Sequence, residues 1–120
     1  MEIHGPDDPV AMYLREVASV GPLPKEEETE LFRQLGNSGK WDERQENVAR
    51  RLIESQLALV VSIAERHSSS GLSMLELIQE GNIGLMKAVS SFAERPVGEF
   101  RAHAAACIEH AITRATHDNE

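Results

Sequence analysis

Apolar residues return along this chain at the three- and four-residue spacing of helices, and no stretch alternates convincingly with the period of two that strands require. Val10, Tyr13, Leu14 and Val17 form one such side, opened by Asp8, which is placed to cap, and by Pro9, which suits the first helical position. Gly21-Pro22-Leu23-Pro24 ends that helix. Lys25-Glu26-Glu27-Glu28 opens the next, its acids set against the positive helix end. Leu31, Phe32 and Leu35 supply the apolar side, and Gly36-Asn37-Ser38-Gly39 stops it.

A long helical stretch is expected from about Trp41 to His67, bent near Gln56. Its centre, Leu57 to Ala64, is apolar nearly all round and is therefore expected to be buried. Ser68 to Gly71 is a loop. Ser73 caps a short helix, with Glu76 three residues on as its capping-box partner. Gly81 is expected to break that helix, and Asn82 to cap the next, which carries Ile83, Leu85, Met86 and Val89. Arg95-Pro96-Val97-Gly98 is a turn, and Glu99 to His117 reads as a last, alanine-rich helix. The predicted fold is all-α, a compact multi-helix bundle.

Composition narrows the function. At 120 residues the chain holds about one domain. Its acidic and basic residues, 20 against 12, leave a net charge of −8, the wrong sign for a domain that holds nucleic acid by neutralising phosphates. Aromatics at 4% leave few platforms for stacking on unpaired bases. The balance favours a protein partner. The single cysteine, Cys107, excludes an intrachain disulfide. No apolar run approaches the roughly 18 residues a membrane span needs, and the polar, acidic stretch Met1 to Asp8 is unlike a signal peptide. A cytosolic protein without a membrane partner is expected.

Three separated motifs then point to a family. The stretch from Asp8 to Glu16, DPVAMYLRE, resembles the opening promoter-proximal segment of primary-type sigma factors of bacterial RNA polymerase. Leu57 to Ala64 is similar to the first helix of their central domain. The run from Gly71 to Val89, GLSMLELIQEGNIGLMKAV, resembles the family's polymerase-binding helix pair nearly residue for residue. The resemblance covers Asp8 to about Asn119. It implies one sigma-factor-like domain over 1–120: an N-terminal helical hairpin at 8–37, polymerase-binding helices at 41–92, and a last helix at 99–118 in place of the DNA-melting segment.

In that family the run docks on a coiled coil of the polymerase's largest subunit, which implies Glu76, Gln79, Glu80, Asn82 and Met86 as the docking residues. Glu76 stands where the family usually has aspartate. Polar groups flanking a helical corner can offer directional hydrogen bonds, and Met86 an adaptable apolar contact. The competing reading is that Gln79, Glu80 and Asn82 only cap and solvate the corner.

Beyond Phe92 the resemblance weakens. The family's promoter-melting segment is basic and aromatic, because flipped bases need stacking surfaces and the strand needs positive charge. Here Glu94 replaces an aromatic, His103 a tyrosine, Ala106 and Cys107 a tryptophan pair, and Glu109 an arginine. From Ala93 onward three basic residues meet five acidic ones, a net charge of −2. The residues left for promoter DNA are Arg15, Phe100, Arg101, His103, His110, Thr113 and Arg114; each reads equally as plain helix surface. The resemblance implies no counterpart, within these 120 residues, of the family's helix-turn-helix for the minus-thirty-five element.

Other constellations carry less. His103, Cys107 and His110 share a helix face, but helical rise separates the two histidines by roughly 10 Å, too far for one zinc ion. Cys107 with a neighbouring histidine lacks any oxyanion hole, and no glycine-rich phosphate loop follows a strand. No metal, cofactor or enzymatic activity is expected. Ala105, Cys107, Ile108 and Ile112 are either core or a surface for a regulatory protein on the last helix. The sequence therefore reads as a sigma-like protein acting in transcription initiation with weakened promoter recognition. The alternatives are an interaction module that competes with authentic sigma factors, and a minimal sigma factor fully competent on the minus-ten element.

Overall fold

Side chains cap the first backbone N–H groups of three helices, and the other three begin without such a cap. In the computed structural model, which describes residues 8–119, these starts define six helices and no strand among the described residues. Helix α1 (Pro9–Ser19) is capped by Asp8, whose carboxylate accepts from the Val10 N–H at 2.7 Å. Helix α2 (Lys25–Leu35) follows Pro24 and gathers Glu26, Glu27 and Glu28 in its first turn. Gly36 ends it at φ 64°, a conformation that glycine adopts without strain. Helix α3 (Glu43–Glu54) carries an Asp42–Gln45 capping box that the sequence pattern did not reveal. The Gln45 amide also donates to the Gln34 and Leu35 carbonyls, joining the start of α3 to the end of α2.

The stretch expected to run bent from Trp41 to His67 is two helices. Between α3 and α4 (Leu57–Glu65) the chain turns at Ser55 and Gln56, both buried, with the Ser55 hydroxyl donating to the Leu52 carbonyl at 2.6 Å. Ser73 and Glu76 form the expected capping box at the start of α5. The expectation that Gly81 breaks this helix is corrected. Helix α5 (Met74–Glu94) runs unbroken through Gly81 and Asn82, so Asn82 caps nothing.

Packing explains why glycine stands there. A Cβ on Gly81 would meet Val60 Cγ1 at 2.7 Å, and one on Gly84 would meet the Cys107 carbonyl oxygen at 2.6 Å. Gly81 lets the Val60 side chain of α4 press against the backbone of α5, and Gly84 brings α5 to backbone distance from α6 (Phe100–Asp118). The core gathers around α5: Leu77, Ile78, Leu85, Ala88 and Val89 meet Leu35, Leu52, Val60 and Ile63, with Ile108 and Ile112 closing the other side. Phe32, Phe92 and Phe100 form a ring cluster with centroids 4.8–5.5 Å apart, pinning α2 and the start of α6 to α5. Helix α1 lies against α4 and buries only Val17 outright. No helix among the described residues is long and apolar enough to cross a membrane.

Candidate functional site

Helix α5 is apolar on two sides. One side is the core stripe. On the opposite side Leu75, Ile83 and Met86 stand 45–56% exposed, with Gln79 exposed among them. At about 100° per residue, these four positions fall on one ridge. A surface helix normally keeps its outer face polar, so three large exposed side chains on one ridge make it the candidate contact surface of α5.

The five expected docking residues divide around this ridge. Gln79 and Met86 lie on it. Glu76 is exposed, but its carboxylate accepts from the Ser73 N–H at 3.1 Å, which holds its pKa below the ordinary carboxylate value. Glu80 is half-buried and turned toward α6. Asn82 is on the other flank, half-buried toward α1, with its Nδ2 3.5 Å from the Tyr13 hydroxyl. Leu75 and Ile83, which complete the ridge, were missed as site residues. The signal was there, in apolar positions a helical turn apart on the side away from the core stripe.

Between α5 and α6 runs a groove of about 850 Å³. Gly84, Cys107 and Ala111 mark the closest approach of the two helices, and Lys87, His110 and Arg114 line its flanks. His103 closes one end, its Nε2 2.7 Å from the Ser91 hydroxyl and 3.7 Å from the Cys107 sulfur. Burial pushes the Cys107 thiol up from its ordinary pKa.

The seven residues left for DNA are not gathered on one surface. Phe100 is fully buried in the ring cluster and presents no face to a base. Arg101 is exposed and its guanidinium reaches the Gln56 amide at 3.4 Å, tying the start of α6 to the α3–α4 turn. His103, His110 and Arg114 share the groove, and Thr113 is exposed beside them. Arg15 is exposed on α1. Glu109 is held from within the chain, 2.9 Å from His67 Nε2 and 3.5 Å from the Arg66 guanidinium. Ile108 and Ile112 are fully buried in the core, and Ala105 and Cys107 are half-buried against it.

Comparison with known proteins decides the family. The sequence model described as Sigma-70 region 2 matches residues 52–120, more than half of the chain. The chain belongs to the sigma-70 region 2 family. It is 43% identical over 112 residues to the RNA polymerase sigma factor SigA of Clostridium acetobutylicum, covering 93% of this chain and 28% of that protein. It is 44% identical over 112 residues to SigA of a Bacillus species, with the same coverage, and 45% identical over 112 residues to SigA of Lactococcus lactis subsp. cremoris, covering 30% of it. The chain thus spans less than a third of the length of these relatives. Within the sigma-70 region 2 match lie all of α4, α5 and α6, and with them both the ridge and the groove.

Proposed function

We propose that this chain is a sigma-factor-like protein that docks on core RNA polymerase and acts in transcription initiation or its regulation. The partner is a helical pair, the clamp coiled coil of the largest subunit, and the observation that carries the reading is the exposed ridge Leu75–Gln79–Ile83–Met86 within the family-matched span. Exposed leucine, isoleucine and methionine supply adaptable apolar contact, while Gln79 supplies direction. The relatives' own name, RNA polymerase sigma factor, supports the same partner. The polar members Glu76, Glu80 and Asn82 border the ridge and set its register against the partner.

A second reading, a module that occupies the clamp without engaging promoter DNA, is favoured by α6. Its aromatic Phe100 is enclosed, its Glu109 is engaged by Arg66 and His67, and the basic side chains in its groove stand among Glu76, Glu80 and Asp118. The first reading is tested by capture of purified core polymerase. Wild type is expected to bind, and Gln79→Ala/Met86→Ala to bind at least about tenfold more weakly, as truncation of a central contact pair usually costs. A folded wild type that fails to bind would defeat both readings. Sequence-selective binding of the single-stranded minus-ten element would defeat the second.

A further inference from the structure

Asn82 is the expected docking residue that α1 covers. Its Nδ2 donates to the Tyr13 hydroxyl of α1 at 3.5 Å, the outer limit of a hydrogen bond, across 69 residues of sequence. Its Oδ1 is buried and has no donor among the described residues. Buried polar groups are paired as a rule, and an exception calls for an explanation.

The surroundings supply one. Asn82 lies three residues after Gln79 and four before Met86, the spacings that make side chains neighbours on a helix surface. It adjoins the ridge and is withheld from it by α1. Helix α1 is held less tightly than α5, since it buries one residue outright where α5 buries eight, two of them glycines. Tyr13 is itself only half-buried, and its ring and hydroxyl reach the amide from the exposed side of the bundle.

We propose that Tyr13 latches α1 over Asn82, so that the partner of the ridge takes up the Asn82 amide only when α1 has swung aside. The inference rests on the ridge being the docking surface. It makes α1 a built-in regulator of docking: the free chain keeps one polar contact in reserve, and the partner must compete with Tyr13 for it. Tyr13→Phe keeps the ring and removes the hydroxyl, which releases the amide without emptying the space.

Two measurements on the full chain test this. In hydrogen–deuterium exchange, Tyr13→Phe is expected to speed exchange of the amides of residues 9–19, with no further gain when Asn82→Ala is added. In core polymerase binding, Tyr13→Phe is expected to bind about three- to tenfold tighter than wild type, the effect of removing one competing hydrogen bond, and the gain should vanish in the Asn82→Ala background. Unchanged exchange in Tyr13→Phe would overturn the latch whatever the polymerase does. If wild type binds and Tyr13→Phe binds equally or more weakly, the latch falls and the docking reading stands. If exchange behaves as expected and no variant binds polymerase, the docking reading falls and the regulatory role of α1 with it.

Discussion

Glu76 shows how one side chain serves two ends. Its carboxylate accepts from the Ser73 N–H while the Ser73 hydroxyl accepts from the Glu76 N–H, both at 3.1 Å, so the first turn of α5 is closed reciprocally. Because the Ser73 backbone bond favours the charged form, the folded pKa lies below the unfolded value of about 4.3. A depressed carboxylate stabilises fully above the unfolded value, and the contribution is lost as pH falls through the folded one. Glu76→Ala is therefore expected to lower the urea midpoint at pH 7, with the gap to wild type narrowing as pH falls below the unfolded value and through the folded one. A gap that persisted in acid would rule out the carboxylate as its source. Ser73 and Glu76 could both be read as a cap from their spacing alone, because a capping box is closed within four residues. Asn82 could not. Its position after Gly81 imitates a cap, and only the distant Tyr13 reveals that it is a half-covered amide in mid-helix.

At the scale of elements, α5 is where local preference and tertiary packing conflict. Glycine costs about 1 kcal/mol in a helix interior relative to alanine, which is why Gly81 reads as a break. The helix continues because close approach of α4 and α6 returns more than that cost, through contacts that a Cβ would obstruct. Gly84→Ala should gain the propensity term and still lose about 1–3 kcal/mol net, since the obstacle is the Cys107 backbone carbonyl and cannot rotate away. Gly81→Ala should cost less, its nearest neighbours being the side chains of Val60 and Ile112. Thermal unfolding of the two variants checks the order; a Gly84→Ala protein more stable than wild type would show that the helices can separate freely. The turn at Ser55–Gln56 has the same origin. Nothing in the local composition demands a full break there, and the buried Ser55 and Gln56 take their places from the packing of α3 and α4 around α5.

For the molecule as a whole, charge decides what binds. The net charge of −8 is not offset by a basic α6, whose Arg114, like the Lys87 of α5 that shares its groove, lies among Glu76, Glu80 and Asp118. A labelled single strand carrying the minus-ten element is accordingly expected to show no binding by fluorescence anisotropy at about 0.15 M salt, where phosphate-driven affinity is already much reduced. Binding that weakened steeply as salt rose would contradict this and favour the minimal sigma factor. Most of the helices, the Asp8 and Ser73–Glu76 caps, the shortage of basic residues in the last helix and the likeness to sigma factors were legible in the sequence. Each depends on residues within a few positions of one another or on simple sums over the chain. Only the tertiary structure decided that α5 runs through its glycines, that Phe100 lies inside a ring cluster, and that Tyr13 covers Asn82. Those outcomes depend on which face of a helix meets which neighbour, a matter of contacts between residues tens of positions apart that no local pattern encodes.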